Sequence, residues 1–320
     1  MSGPRPVISH VKIDRIEKMM SEKLGCDNSS VHVSPDPLGG WSNINLLLVV
    51  DGRRMVLKMP CLRMHYSTNP FELQYRSYRT LSDEGIAPRP VSFGRLDDEY
   101  KTPFILLDFA EGMILDDLRL FGTVRLNQLS SLLNHLNSTH VPGLPAFRSP
   151  AMYLEALLSR LEPEVIISDG VSPDTTDLLH GLSELVGPLR SYLESMNEWD
   201  MMTIHGDLQE SNIVFTTSGP MMLDLESLMV ADPSLDLAYL FVQRDGDMIR
   251  RYPPELVHDE STASRVNSLI PLALVSAVAW TIERLSWLDR GLLDDCIAKV
   301  MNRDRMVNYV RSKLLILQSH

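Results

Sequence analysis

Residues 203–212 read Thr203-Ile204-His205-Gly206-Asp207-Leu208-Gln209-Glu210-Ser211-Asn212, and residues 221–224 read Met221-Met222-Leu223-Asp224. In both, a short apolar approach delivers an aspartate to a loop. Ile213 to Phe215 and Met221 to Leu223 have the composition of two short strands, with Thr217-Ser218-Gly219-Pro220 as their turn. A hairpin of that kind holds Asn212 and Asp224 at the same end. An amide oxygen and a carboxylate meeting there make a hard-oxygen site suited to Mg²⁺ that remains shared with phosphate oxygens. Asp207 lies beside it, placed to take or orient a hydroxyl proton. Singly these residues have plainer explanations: an Asp at a strand end is usually a cap, and His205 is expected to brace the loop by hydrogen bonds. Jointly, Asp207, Asn212 and Asp224 point to chemistry.

Upstream, apolar spacing predicts a helix from about Ile13 to Leu24, ended by Gly25. The breaker-rich run Pro35-Asp36-Pro37-Leu38-Gly39-Gly40 is expected to exclude regular structure. Ile44 to Val50 and Arg54 to Met59 read as strands, joined by Asp51-Gly52, a dipeptide suited to the positive φ angles of a tight hairpin. Phe71 to Leu81 reads as a helix that Gly85, Pro88 and Pro90 bring to an end, and Val91 to Arg95 and Phe104 to Phe109 as further strands. After Gly112 the chain turns Leu-rich and helical, with Ser149-Pro150 and Ser172-Pro173 as helix starts, an N-cap serine before a proline. A strand-rich first third and a helix-rich remainder imply a boundary near residue 110.

Bulk properties limit the partners. The 320 residues are 44% hydrophobic and 22% charged, the balance of an ordinary globular protein large enough for two domains or one two-lobed unit. Lys and Arg number 30 against 42 Asp and Glu, a formal charge of -12 that repels nucleic acid and anionic lipid and mildly favours cationic small molecules. Cys26, Cys61 and Cys296 are odd in number and far apart, which argues against a disulfide framework or a structural zinc site and fits a reducing cytoplasm. Charged residues from Lys12 to Lys18 stand where a signal peptide needs an apolar core. The longest apolar stretch, Leu269 to Ile282, is shorter than the roughly 20 residues a bilayer takes, and is expected to be a buried helix.

His205 to Asn212 and Leu223 to Ala238 together resemble the catalytic and metal-binding segments of the aminoglycoside phosphotransferase and choline kinase superfamily. The second segment runs Leu223-Asp224-Leu225-Glu226, then Ala231-Asp232-Pro233, then Asp236-Leu237-Ala238, with Ala231 where the family carries glycine. The resemblance implies an α+β, bilobal protein-kinase-like fold. A small antiparallel-sheet lobe would cover 1–109, a larger mainly helical lobe 110–320, and a hinge would lie near 108–112. It implies ATP and Mg²⁺ as cofactors and phosphoryl transfer to a small-molecule hydroxyl, with Asp207 as base and Asn212 and Asp224 as metal ligands.

The same resemblance assigns the nucleotide half. Gly39, Gly40, Ser42 and Asn43 fall in the phosphate-covering loop, and Lys58 would contact the α- and β-phosphates. That lysine needs a carboxylate from the next helix. Counting back from Tyr78 and Leu81 puts the family's glutamate on Gln74, while the nearest acid, Glu72, lies roughly 200° away on an ideal helix. A shifted or bulged helix that lets Glu72 serve is the favoured reading; otherwise Gln74 makes a weaker neutral contact, or the glutamate is missing and activity is reduced. The run from Pro103 to Gly112 resembles the strand and hinge between lobes, where adenine would exchange hydrogen bonds with the backbone of Asp108 and Ala110.

A protein kinase fits less well, because Asp224 is followed by Leu225-Glu226 and the Asp-Pro dipeptide arrives at Asp232 with no long activation segment between. Acceptor groups are expected from the helical lobe, which offers Glu155, Glu226, Glu283 and Asp289 as acids. Trp280, Glu283, Arg284 and Trp287 share helical spacing, so an aromatic ring and a carboxylate could hold a cationic amine there. The plainer reading has these tryptophans in the core. An amino alcohol, amino sugar or hydroxylated amino acid fits, as does a neutral sugar or nucleoside. The doubtful partner of Lys58 also leaves room for a kinase-like nucleotide-binding scaffold.

Overall fold

Asp51 and Gly52 take φ of 48° and 80°, the pair of positive angles that a two-residue hairpin needs to match strand twist. They join strand β2 (Asn43–Val50) to β3 (Arg53–Pro60), register Val50↔Arg53. With β1 (Val31–Pro37), β4 (Pro90–Arg95) and β5 (Pro103–Asp108) these form an antiparallel sheet of order β1-β2-β3-β5-β4. The structure is a computed structural model that describes residues 13–39, 42–62, 64–114, 118–161, 170–196, 199–242 and 252–319. The chain divides into one unit of 1–111 with 291–302 and a second of 112–290 with 303–320.

In the first unit, Ile44, Leu46 and Leu48 alternate inward along β2, as a strand's two-residue period dictates. Helices α1 (Ile13–Leu24) and α2 (Phe71–Asp83) lie beside the sheet strands, and α2 buries Phe71, Gln74, Ser77, Tyr78 and Leu81. One expectation is corrected. The prolines of 35–37 do not exclude regular structure, because β1 continues through Pro37. As an edge strand it needs no donor on its open side, and its register shifts between Val33 and Pro37.

The second unit is mainly helical: α3 (Thr123–Ser138), α4 (Pro150–Ser159), α5 (Pro173–Glu194), α6 (Ser234–Val242), α7 (Glu260–Asp289) and α9 (Arg303–Gln318), with α8 (Asp295–Val300) belonging to the first unit. Ser149 Oγ accepts from Met152 N–H at 3.2 Å and Ser172 Oγ from Thr175 N–H at 3.4 Å, so both Ser-Pro pairs start helices. The apolar run 269–282 belongs to the 30-residue α7, longer than that run alone suggested and apolar enough to cross a membrane by length and composition. It packs against α4, α5, α6 and α9, and Leu269, Ile270, Leu272, Leu274 and Val278 are fully buried.

Two small ribbons complete this unit. Strand β6 (Gly112–Ile114) pairs with β8 (Ile213–Thr216), β8 pairs with β9 (Gly219–Met222), and β7 (Met202–Ile204) pairs with β10 (Met229–Ala231). Ala231 has an ordinary strand conformation opposite Met202, so the backbone does not demand glycine there. The next residue, Asp232, is 1% exposed and accepts from Asp200 N–H at 3.1 Å, Ser234 N–H at 2.9 Å and Arg265 Nε at 3.0 Å. Arg265→Ala leaves that carboxylate buried with its backbone donors but no counter-charge. The expected loss is about 3 kcal/mol, the low end for a broken buried pair because Arg265 is partly exposed. A denaturant midpoint unchanged from wild type would rule it out.

Candidate active site

The first unit carries the residues expected to hold a nucleotide. Lys58 stands in β3 opposite Asn45 of β2 and Ile105 of β5, with its side chain buried. Asn45 Nδ2 donates to the Gly39 carbonyl at 2.9 Å, and Leu38 N–H donates to the Asn45 carbonyl at 2.8 Å. That strand residue therefore anchors the base of the Gly-containing loop. The sequence reading passed over it, though its signal is a polar side chain inside the apolar run 44–50. Gly39 has φ 113°, a region that a Cβ makes costly. Ser42 is half-buried and Asn43 opens β2 as a buried residue, while Gly40 lies outside the described residues.

Glu72 does not take the place expected of it. Helix α2 is regular from Phe71, so the wide angular separation from Gln74 stands, and Glu72 points outward to Arg76 at 2.5 Å. Gln74 faces inward instead. Its Oε1 is buried with no hydrogen-bond partner among the described residues, and so is the Oγ of Ser77 one turn on. At the end of β5, the Asp108 carboxylate is held by Arg53 and by Arg89 Nε at 3.0 Å. Asp108 N–H is spent on the Arg89 carbonyl at 2.8 Å. That N–H is therefore not open to the exchange with adenine expected at this strand end.

In the second unit, one buried carboxylate builds the loop that carries Asp207. Asp236, 1% exposed on α6, accepts from the backbone N–H of His205 at 2.7 Å and of Gly206 at 2.8 Å. Burial pushes its pKa up, against those two donors. Gly206 is required at its position, because φ is 75° and a Cβ would stand 2.2 Å from the Ser227 carbonyl oxygen. The His205 ring spans the site. Its Nδ1 accepts from Asp207 N–H at 3.3 Å, so the ring proton sits on Nε2, which donates to the Leu223 carbonyl at 2.8 Å.

The hairpin register Ile213↔Met222 places Asn212 and Asp224 just beyond the same end, although the turn is tighter than expected and Gly219 and Pro220 lie in β9. Leu223 N–H donates to the Asn212 carbonyl at 2.8 Å. Asn212 Nδ2 donates to the Asp207 carbonyl at 3.0 Å, which leaves Asn212 Oδ1 as the atom for a cation. Asp224 is left-handed, φ 54° and ψ 62°, at the entry to a short turn 225–227. Among the described residues no three His, Cys, Asp or Glu side chains could enclose a metal by themselves. An Asn–Asp pair fits a hard ion that completes its shell with phosphate oxygens and water.

Asp207 is a strongly perturbed acid. Burial, then the charges of Asp224 and Glu226, push its carboxyl up to about 8, against a hydrogen bond from Gln209 Nε2 at 3.2 Å. Burial and the neighbouring acids thus both disfavour the charged form of Asp207.

Three of the four acids proposed for the acceptor are already paired. Glu155 meets Arg190 at 2.7 Å, and Asp289 meets Arg303 at 2.9 Å and Thr175 Oγ1 at 2.7 Å. Glu283 binds both Arg160 at 2.9 Å and Arg284 at 3.0 Å. The aromatic–carboxylate arrangement expected at Trp280, Glu283 and Trp287 does form, but Arg284 fills it. Glu226, the fourth, is exposed, and its charge acts on Asp207.

Solved structures share this fold. Choline kinase LicA from Streptococcus pneumoniae matches with TM-score 0.61 and 17% identity, covering 95% of this chain and 99% of that one. An ethanolamine kinase of Plasmodium vivax matches with TM-score 0.64 and 14% identity, covering 91% and 82%. The aminoglycoside phosphotransferase APH(4)-Ia, in complex with ADP and hygromycin B, matches with TM-score 0.53 and 18% identity, covering 93% and 98%. No curated protein sequence matches the chain. At these identities the likeness establishes the kinase-like fold. The sequence profile of the phosphotransferase enzyme family matches residues 34–263, a span that includes Lys58 and the whole loop and hairpin of Asp207, Asn212 and Asp224. With a kinase-like fold and a family profile over most of its length, the chain belongs to the phosphotransferase enzyme family.

Proposed function

We propose that the protein transfers the γ-phosphoryl group of ATP, with Mg²⁺, to a hydroxyl of a small amine-bearing molecule. The observation that carries this reading is the half-buried Asp207 carboxyl on the loop next to Asn212 and the hairpin that leads to Asp224. Phosphoryl transfer asks for positioning and charge neutralisation rather than covalent help from the protein. Lys58 and the loop from Gly39 to Asn43 hold the triphosphate. Asn212 Oδ1 and Asp224 hold Mg²⁺, which when bound supplies positive charge to the phosphates and offsets the field that keeps Asp207 protonated. Asp207 accepts the acceptor's proton as the new oxygen–phosphorus bond forms and the bond to the β,γ-bridging oxygen breaks, leaving ADP. Asp236 and His205 keep Asp207 in place.

An amine on the acceptor is favoured by the acids around Asp207 and by the net charge of -12. The names of similar folds, which include choline, ethanolamine and aminoglycoside kinases, are consistent with that class. The test is transfer of labelled phosphate from ATP, with and without Mg²⁺, to a panel of amino alcohols, amino sugars, neutral sugars and nucleosides. Acceptor-dependent ADP formation with the amines is expected. A strong preference for uncharged sugars removes the amine, and no transfer to any acceptor despite tight ATP binding removes the activity.

Gln74 favours a second reading, a kinase-like protein of weak turnover, because the side chain that α2 turns inward is a neutral amide rather than a carboxylate. Gln74→Glu is expected to raise kcat/KM for ATP by about tenfold, the size of one charge-assisted hydrogen bond replacing a neutral one. Steady-state kinetics decide it, and an equal or lower kcat/KM would show that Lys58 does not use this position.

A further inference from the structure

Helix α7 carries a stripe that the proposed reaction does not use. Ser276, Trp280, Glu283, Arg284 and Trp287 recur at helical spacing and share a face. At one level, Ser276 Oγ lies 3.4 Å from the Tyr153 hydroxyl of α4, which lies 2.6 Å from the Tyr239 hydroxyl of α6. At the next, Glu283 binds Arg160 just past the end of α4, at 2.9 Å. Both helices advance seven residues between these contacts, so they run parallel, and the levels are about 10 Å apart at 1.5 Å per residue. The first level adjoins the catalytic loop: Tyr239 is one turn from Asp236, and the Asp207 charge helps raise the pKa of both tyrosines, which burial raises most.

At the second level a cation site is already built and occupied. The Arg284 guanidinium lies 4.0 Å from the Trp287 ring centre and 4.9 Å from that of Trp280, and Nη1 donates to Glu283 Oε2 at 3.0 Å. Arg284 is 5% exposed. Two indole faces and a carboxylate around a desolvated cation are the chemistry that recognises quaternary ammonium and guanidinium groups.

We propose that Arg284 is a specificity-determining residue, a resident cation that closes this aromatic cage to quaternary ammonium acceptors. An amine-bearing acceptor must then place its charge near the acids at Asp207, Asp224 and Glu226 instead. Removing Arg284 opens the cage without stranding Glu283, which keeps Arg160. The inference about acceptor choice rests on the phosphotransferase reading, whereas the cage itself does not.

The test uses the full chain and tetramethylammonium as probe, read by tryptophan fluorescence and calorimetry without nucleotide. Wild type is expected to show no saturable binding. Arg284→Ala, and the better-packing Arg284→Gln as a second neutral variant, should gain at least about tenfold in affinity for tetramethylammonium, the scale of a desolvated cation–π contact. Adding Trp287→Leu to either should abolish the gain. Saturable tryptophan-linked binding by wild type overturns the proposal. So does the absence of any gain in whichever neutral variant melts cooperatively, or a gain that survives loss of Trp287. A failed phosphate-transfer screen leaves these binding results intact and counts against the phosphotransferase reading alone. With turnover in hand, the opened variant should lower KM for choline at least about tenfold with KM for ATP unchanged, as the same contact implies. Gained binding with an unchanged choline KM would place the cage outside the acceptor site and overturn its part in specificity.

Discussion

Asp207→Asn is expected to lower kcat by a factor of roughly 100 to 10,000 while leaving KM for ATP unchanged, the range for loss of a positioned general base. The substitution is nearly isosteric. The Asn side-chain oxygen can still accept from Gln209 Nε2, and the backbone clamps from Asp236 and His205 involve no part of the Asp207 side chain. What disappears is the carboxylate. The same variant has a second signature, in stability. An Asp in the unfolded chain titrates near 3.8, whereas the folded environment holds this one to about 8. The folded state therefore binds the proton more tightly. Stability is fully present below the unfolded value and falls as pH rises from about 4 to about 8. Asp207→Asn lacks that loss. Thermal melts without Mg²⁺ or nucleotide should thus show the variant gaining on wild type across this window. Parallel pH profiles for the two proteins would show that Asp207 is not held protonated.

Much of this arrangement is legible in the sequence because its signals are local. Asp51-Gly52 encodes its own turn through left-handed φ, and Ser149-Pro150 and Ser172-Pro173 encode helix starts through one side-chain oxygen each. The hairpin that unites Asn212 with Asp224 needs only two short strands and a turn. What stays hidden is what depends on distant partners. That Asp236 holds the amides of His205 and Gly206 is a contact across 30 residues, invisible to periodicity. The return of residues 291–302 to the first unit has no local signal either. Gln74 and Glu72 are two residues apart, and only the true phase of α2 decides which one faces inward. At the tryptophans, spacing left an aromatic–carboxylate site and plain core packing both open, and only the structure shows the Arg284 guanidinium against both rings.

Asp224→Asn separates chemistry from backbone at the carboxylate proposed to hold the metal. Asp224 sits in the left-handed region, where most side chains cost about 1–2 kcal/mol and Asn and Asp cost least. Asn therefore keeps the conformation while giving up the charge that would hold the metal. Turnover is expected to fall by a factor of at least about 100, comparable to removing one preorganised electrostatic group, and the Mg²⁺ needed for half-maximal rate should rise. Unchanged turnover at unchanged Mg²⁺ would exclude Asp224 as a ligand. Stability should move the other way. After burial, the Asp224 charge is the foremost cause of the raised Asp207 pKa, so its removal relieves repulsion between two acids packed at one loop. The metal-free variant should melt no lower than wild type and lose less stability between pH 4 and pH 8. Asp224→Ala provides the contrast. It removes the same charge and also the short polar group whose local hydrogen bonding eases the left-handed region, so it should match Asn in lost turnover and fall below it in melting temperature. Were Ala and Asn to melt alike, the backbone at 224 would not be what keeps an Asp-like residue there, and the metal ligand role would have to account for it alone.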